Sequence, residues 1–200
     1  MLEPLAPFSP SPDKKIAVFL PGIGYNCDRP LLYYSQKLAQ HYGWETVRVP
    51  YGGFPDKVRG DAKKMEQCAR MALEQTRELL GGLDFGQYNQ ILFVSKSVGT
   101  VTAAAYAHLL GLPVRHILYT PVEATFAHPM ESAIAFHGTR DPWADTETIK
   151  KLCADQGIPL YLTEGANHSL ETGVVSQDLK NLEAVMARAE EQFRREQTTP

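Results

Sequence analysis

The stretch Ile91 to Gly111, ILFVSKSVGTVTAAAYAHLLG, limits the fold more than any other part of this chain. Four β-type apolar residues, Ile91-Leu92-Phe93-Val94, stop at Ser95-Lys96-Ser97-Val98-Gly99, and an alanine-rich helix begins at once. A short, continuously apolar strand leading straight into a helix belongs to a parallel sheet that is covered on both faces. Small residues two places before and two places after Ser97 let strand and helix approach closely, and leave Ser97 strained at the apex of the turn. Small-x-Ser-x-Gly arises by chance in roughly one chain in five of this length. Its weight therefore rests on its surroundings.

Those surroundings repeat the same pattern. Apolar strands are predicted at Ile16–Leu20, Glu45–Pro50, Val114–Tyr119, Ala133–His137 and Pro159–Thr163. Helices are predicted from Pro30 to a Gly43 stop, over Asp61–Leu80, after Ser97, over Thr146–Gln156 and over Ser176–Arg194. In the last helix Leu179, Leu182, Met186, Ala189 and Phe193 recur at steps of three and four, a stripe that faces a core. The expected architecture is α/β: a three-layer, doubly wound, mainly parallel sheet of about six strands with helices on both faces. Two hundred residues suit a single domain over 15–200, preceded by a proline-rich arm over 1–14. In such sheets function gathers at the carboxyl ends of the strands, where Ser97 falls.

Charge and composition narrow the function classes. A net charge of -3 offers no bulk attraction to nucleic acid or to an anionic membrane. No apolar run approaches the roughly 20 residues that cross a bilayer, and the first residues lack the pattern of a secretory signal. Cys27, Cys68 and Cys153 are odd in number, with no CxxC pair, which suits reduced thiols in a cytoplasmic protein. Cys27 is a passive cysteine or a redox-sensitive one. No His/Cys/Asp cluster has metal-ligand spacing and no organic cofactor is indicated, so none is expected.

A serine hydroxyl needs a base to take its proton and a third group to orient that base. Of six histidines, His41 and His108 sit in helical segments, His116 inside a strand and His128 before a proline. His137 closes a strand at a turn, where a structural role fits best. His168 lies in Glu164-Gly165-Ala166-Asn167-His168, a loop after the last strand, and can reach the Ser97 turn. The acid is sought in Gly138-Thr139-Arg140-Asp141, again past a strand end, where Asp141 is either a turn aspartate or the orienting group. Glu123 and Glu164 are fallback acids, and Asp145 reads as the N-cap of the next helix. Pro21-Gly22-Ile23-Gly24 lacks the third glycine of a dinucleotide loop and the Gly-Lys-Ser/Thr of a Walker loop. It is a plain strand-to-helix turn, or a loop whose Ile23 amide joins that of Val98 to hold an oxyanion. Lys96 cannot be the base, because neighbouring side chains at the turn point apart; a surface or loop-anchoring role is expected.

On the Ser95–Gly99 turn, the Gly138–Asp141 and Gly165–His168 segments and the Pro21–Gly24 loop, the chain resembles the α/β-hydrolase superfamily from about Lys15 to Arg194. The resemblance implies a Ser97–Asp141–His168 triad and an oxyanion hole from the Ile23 and Val98 amides. Ser95 replaces the usual glycine, and Pro21 the frequent histidine. Only about ten residues, Thr120 to Pro129, follow the fourth strand, too few for the lid of many relatives, so a minimal fold with no cap domain is expected. The implied activity is hydrolysis of an ester-type bond in a small-molecule substrate, with Tyr25, Phe54, Phe126 and Trp143 shaping its pocket. A thioesterase or peptidase on the same triad, and a non-catalytic binding module, are the alternatives.

Overall fold

A computed structural model describes residues 11–195. The chain runs β1 (Ser11–Leu20), α1 (Pro30–His41), β2 (Glu45–Arg48), α2 (Ala62–Leu80), β3 (Tyr88–Lys96), α3 (Val98–Leu110), β4 (Arg115–Tyr119), β5 (Ser132–Gly138), α4 (Thr146–Asp155), β6 (Leu160–Thr163) and α5 (Val175–Arg194). Residues 1–10 of the arm expected over 1–14 lie outside the described residues, and its last four begin β1, with Ser11 in register with Tyr88.

Cap chemistry sets several of these boundaries. Pro30 opens α1, where its missing N–H costs nothing. The carboxylates of Asp61 and Asp145 accept the Lys64 and Thr148 N–H groups at 3.1 and 2.9 Å, satisfying donors that α2 and α4 leave free.

The six strands are all parallel, in the order β2-β1-β3-β4-β5-β6. Their side chains alternate between two apolar layers. Ala17, Phe19, Leu92, Val94, Tyr119 and Phe136 pack under α1 and α5. Ile16, Val18, Leu20, Ile91 and Phe93 face Leu80 of α2 and Ala103 of α3, while Leu118 and Ala135 face Ala104 of α3 and Ile149 of α4. Helices thus cover both faces of a doubly wound sheet. One residue of the α5 stripe departs from expectation: Leu179 is exposed, and Val185 takes the buried place beside Ala189 and Phe193.

Two features of this topology position the site. The chain leaves β1 for β2 on one side and returns to β3 on the other, so a crevice opens beyond the carboxyl ends of β1 and β3. The strands also end nearly level. Leu20 pairs with Ser95, Lys96 with Tyr119, Tyr119 with Phe136, and Gly138 with Thr163. The loops after β1, β3, β5 and β6 therefore share one rim. Between β4 and β5 runs only a short 3-10 turn, Glu123–Ala127, within the span too short for a lid.

Candidate active site

Ser97 occupies the position that would ordinarily cap α3, yet its backbone lies at φ 54° and ψ -121°, and its side chain makes no cap hydrogen bond. A non-glycine residue there stores strain of about 1–3 kcal/mol. The surroundings hold it in place. Its N–H donates to Tyr119 O on β4 at 3.1 Å, and its carbonyl accepts from Thr100 N–H and Oγ1 at 2.8 and 2.6 Å. Freed from capping, the hydroxyl turns outward. Gly99 is forced by packing: a Cβ there would lie 2.5 Å from Pro21 O. Ser95, by contrast, fits, because its buried hydroxyl donates to Ile117 O at 3.2 Å.

His168 Nε2 stands 2.8 Å from Ser97 Oγ, and His168 Nδ1 stands 2.7 Å from Asp141 Oδ2. The three side chains predicted from three loops are brought into one hydrogen-bonded chain. Asp141 is wholly buried, and its other oxygen accepts the Trp143 N–H at 2.8 Å. The Trp143 ring stacks on the His168 imidazole, with centroids 5.4 Å apart. Burial pushes the His168 pKa below its ordinary value, the Asp141 hydrogen bond opposes this, and the charge of Lys96 adds to the lowering. The imidazole is therefore neutral at pH 7, with its Nδ1–H donating to the carboxylate and its Nε2 lone pair facing the hydroxyl. The fallback acids are elsewhere: Glu164 accepts from Thr139 Oγ1, Glu123 is exposed on the 3-10 turn, and Asp145 caps α4.

Gly22 packs directly beneath Ser97, where a Cβ would meet Ser97 Cβ at 3.1 Å. The loop turns through a Gly22–Tyr25 bridge, with Gly24 at φ 70°. Among the described residues, neither Ile23 N–H nor Val98 N–H donates to a backbone carbonyl outside the helices and strands. Val98 also begins α3, where the helix dipole favours a negative charge.

A cavity of about 570 Å³ opens beside Ser97, walled by Val58, Met65, Ala69, Val101, Val122 and Trp143. Glu66 and Glu123, both exposed, are the carboxylates along its lining. A larger hollow of about 670 Å³ lies at the amino ends of β4 and β5, at the opposite end of the sheet, and contains none of the triad residues.

Of the four aromatics expected around the pocket, only Trp143 lines it. Tyr25 is buried with the α1 layer because the Gly22–Tyr25 bridge turns it inward, and its oxygen accepts the Leu31 N–H at 3.1 Å. Phe54 packs behind the Pro21–Gly24 loop against Tyr51, at the wall of a neighbouring hollow. Phe126 points into the apolar layer between α3 and α4. Besides Trp143, the walls come from α2 and the segment before it, from α3 and from the turn after β4. Met65 and Ala69 lie one helical turn apart, but periodicity cannot distinguish a stripe that faces a cavity from one that faces a sheet. Of the surface and loop-anchoring roles open to Lys96, its 1% exposure rules out the first. His137 is buried, with Nδ1 3.7 Å from Asp141 Oδ2. Cys27 is buried as well, and burial pushes its thiol pKa up, so it suits the passive role.

Solved structures share this arrangement of strands and helices. An alpha-beta serine hydrolase homologue from Coxiella burnetii superposes with a TM-score of 0.63 at 16% identity, over 91% of this chain and 87% of that one. A serine hydrolase without a lid from Xanthomonas campestris gives 0.58 at 15% identity, over 96% and 88%. Est1E from Butyrivibrio proteoclasticus gives 0.62 at 13% identity, over 92% and 90%, and has also been solved with ferulic acid bound. This is the α/β-hydrolase fold. No family model and no curated protein sequence matches the chain. The α/β-hydrolase fold explains why the nucleophile candidate sits after the strand at the switch point, with its acid and histidine on later strand ends of the same rim.

Proposed function

We propose that this protein is a serine hydrolase that cleaves an ester bond carrying an apolar acyl group. The hydrogen-bonded chain Asp141–His168–Ser97, ending on a serine held at φ 54° beside an apolar cavity, is the observation that carries the reading. His168 takes the Ser97 proton as the hydroxyl attacks the acyl carbon, and Asp141 stabilises the imidazolium that forms. The Ile23 and Val98 amides hold the tetrahedral oxyanion. The protonated His168 then donates to the leaving alcohol, and water, deprotonated by the same imidazole, releases the acid.

Several observations favour an ester of modest size over the alternatives. The cavity walls are aliphatic with one indole, which suits an alkyl or aryl acyl group. Ferulic acid, bound in Est1E, is an aromatic acid of this kind. Carboxylates at the mouth repel polyanionic groups, which disfavours acyl-CoA thioesters. A serine held at a strained φ with its hydroxyl withheld from helix capping favours catalysis over a binding module.

The test is covalent labelling with a fluorophosphonate, followed by location of the adduct. Stoichiometric modification of Ser97, lost in His168→Ala, is the expected result, and Ser97→Ala should lower kcat on a p-nitrophenyl ester by about 10⁴ to 10⁶. Absence of any adduct at Ser97 would sink the proposal.

A further inference from the structure

Lys96 immediately precedes the nucleophile candidate, and it is one of the largest fully buried side chains in the protein. Its side chain lies on the α1 side of the sheet, as Val94 and Leu92 do two and four residues earlier. Its stem passes under the oxyanion loop, where Cγ lies 3.5 Å from the position of a Cβ on Gly22. Its ammonium ends over the ring of Tyr25, 5.0 Å from the centroid. Lys96 therefore touches both ends of the Gly22–Tyr25 turn that presents the Ile23 amide.

A buried ammonium is costly, and a ring face offsets only about 2 kcal/mol of that cost. The groups that act on Lys96 are few: the Asp141 carboxylate attracts it, and the His168 ring lies within range of its charge. His168 is faced by Asp141 and His137 from the β5 side and by Lys96 from β3. Glu171 and Arg29 act on Tyr25 beneath the ammonium. Burial pulls the Lys96 pKa down to about 7, and the pull of Asp141 opposes it. Below that value the ammonium is charged while His168 titrates.

We propose that Lys96 is a positioning residue of the active site: its stem and ammonium tie the elbow strand to the oxyanion loop, and its charge opposes a proton on His168. This rests on the hydrolase reading. The positive charge disfavours a proton on His168, so the base stays available at acidic pH. An aliphatic residue of the same length would keep the packing and lose that control. The stability forfeited by burying the charge is typical of a group retained for function.

The experiment is the pH dependence of fluorophosphonate labelling of Ser97, from pH 4.5 to 9, in wild type and Lys96→Met. In wild type the rate should rise through an ionisation below pH 6.5, with a second inflection near pH 7 from Lys96. In Lys96→Met the rising limb should move up by about half to one pH unit and the second inflection should vanish. At pH 5.5 labelling should then be about three- to tenfold slower relative to its own plateau. A uniform fall across all pH values, or an unmoved limb, would reduce Lys96 to a structural role and overturn the proposal. If the variant fails to fold, the wild-type profile decides: two ionisations support the proposal and a single one overturns it. Absence of labelling in wild type would overturn the hydrolase reading, and this one with it.

Discussion

Replacing Gly138 by alanine tests how the triad is assembled. Gly138 ends β5, three residues before Asp141, and packs against the loop that carries His168. A Cβ at that position would lie 2.5 Å from Asn167 O and would also strike Ala166 O. The same Ala166 carbonyl accepts the Arg140 N–H at 2.9 Å, and Asp141 N–H donates to Gly138 O at 3.0 Å. The acid and histidine loops are thus locked together at the contact that the methyl group would invade. Restoring the contact with Asn167 to 3.0–3.4 Å, where real Cβ contacts begin, moves the loops apart by about 0.5–0.9 Å. Applied to the 2.7 Å bond between His168 and Asp141, that shift lengthens it to about 3.2–3.6 Å, from the limit of hydrogen-bond range to beyond it. Misplacement on this scale costs about 10²-fold in rate. The ceiling is the roughly 10⁴-fold loss seen when a triad aspartate cannot orient its histidine. Overpacking should remove about 1–3 kcal/mol of stability, a fall in Tm of roughly 2–12 °C for a chain of this size. Ester hydrolysis and thermal unfolding are measured side by side, with Gly157→Ala as the control. Gly157 has a positive φ, 66°, which Gly138 lacks, and a Cβ there meets nothing within 4 Å. That control should lose stability with kcat intact. A Gly138→Ala enzyme within threefold of wild-type kcat/KM would refute the reasoning.

Other perturbations separate the remaining roles. Asp141→Asn should lower kcat by about 10⁴ while leaving the fold intact; near-full activity in that variant, with loss in Glu123→Gln instead, would show that the acid is misassigned. Ala69→Trp fills the cavity beside Ser97 and should lower kcat/KM for long-chain p-nitrophenyl esters at least about tenfold, while acetyl esters and labelling persist. An equal loss on both substrates would place the acyl group elsewhere. Lys96→Met should stabilise the protein at neutral pH. The unfolded lysine holds its proton up to 10.5 and the folded one only to about 7, so the unfolded state binds more protons between these values and stability rises with pH there. The cost of the charge is greatest below pH 7, on the order of 4 kcal/mol, and fades towards pH 10.5. Urea unfolding of both proteins at pH 6 and 9.5 checks this, since an equal gain at the two values would contradict it.

The strand-and-helix alternation was legible in the chain because each element carries its own signal. Ile91–Val94 is too continuously apolar for an exposed strand, Pro30 and Asp145 mark helix starts, and Gly99 marks a close approach. The candidate triad was legible for a related reason: Ser97, Asp141 and His168 each follow a strand, and parallel strands send such residues to one rim. The pocket was not legible. Tyr25, Phe54 and Phe126 are large and apolar, but which side of a loop they take depends on neighbours distant in sequence, and the bridge from Gly22 turns Tyr25 into the core. Which of its surface and loop-anchoring roles Lys96 takes was open for the same reason, since the burial of a charged residue depends on partners distant in sequence.

Taken alone, the order of residues determined the secondary structure, the sheet class and the chemical types that stand at strand ends, all of which are set by local propensity and spacing. Tertiary structure decided the distances. It brought His168 to 2.8 Å from Ser97, buried the Asp141 carboxylate, put Trp143 on the imidazole and laid the Lys96 ammonium over the Tyr25 ring. These relations depend on strand order, on register and on the close approach of Gly99 and Gly138 to neighbouring backbone, where a single added carbon would force segments far apart in sequence to separate.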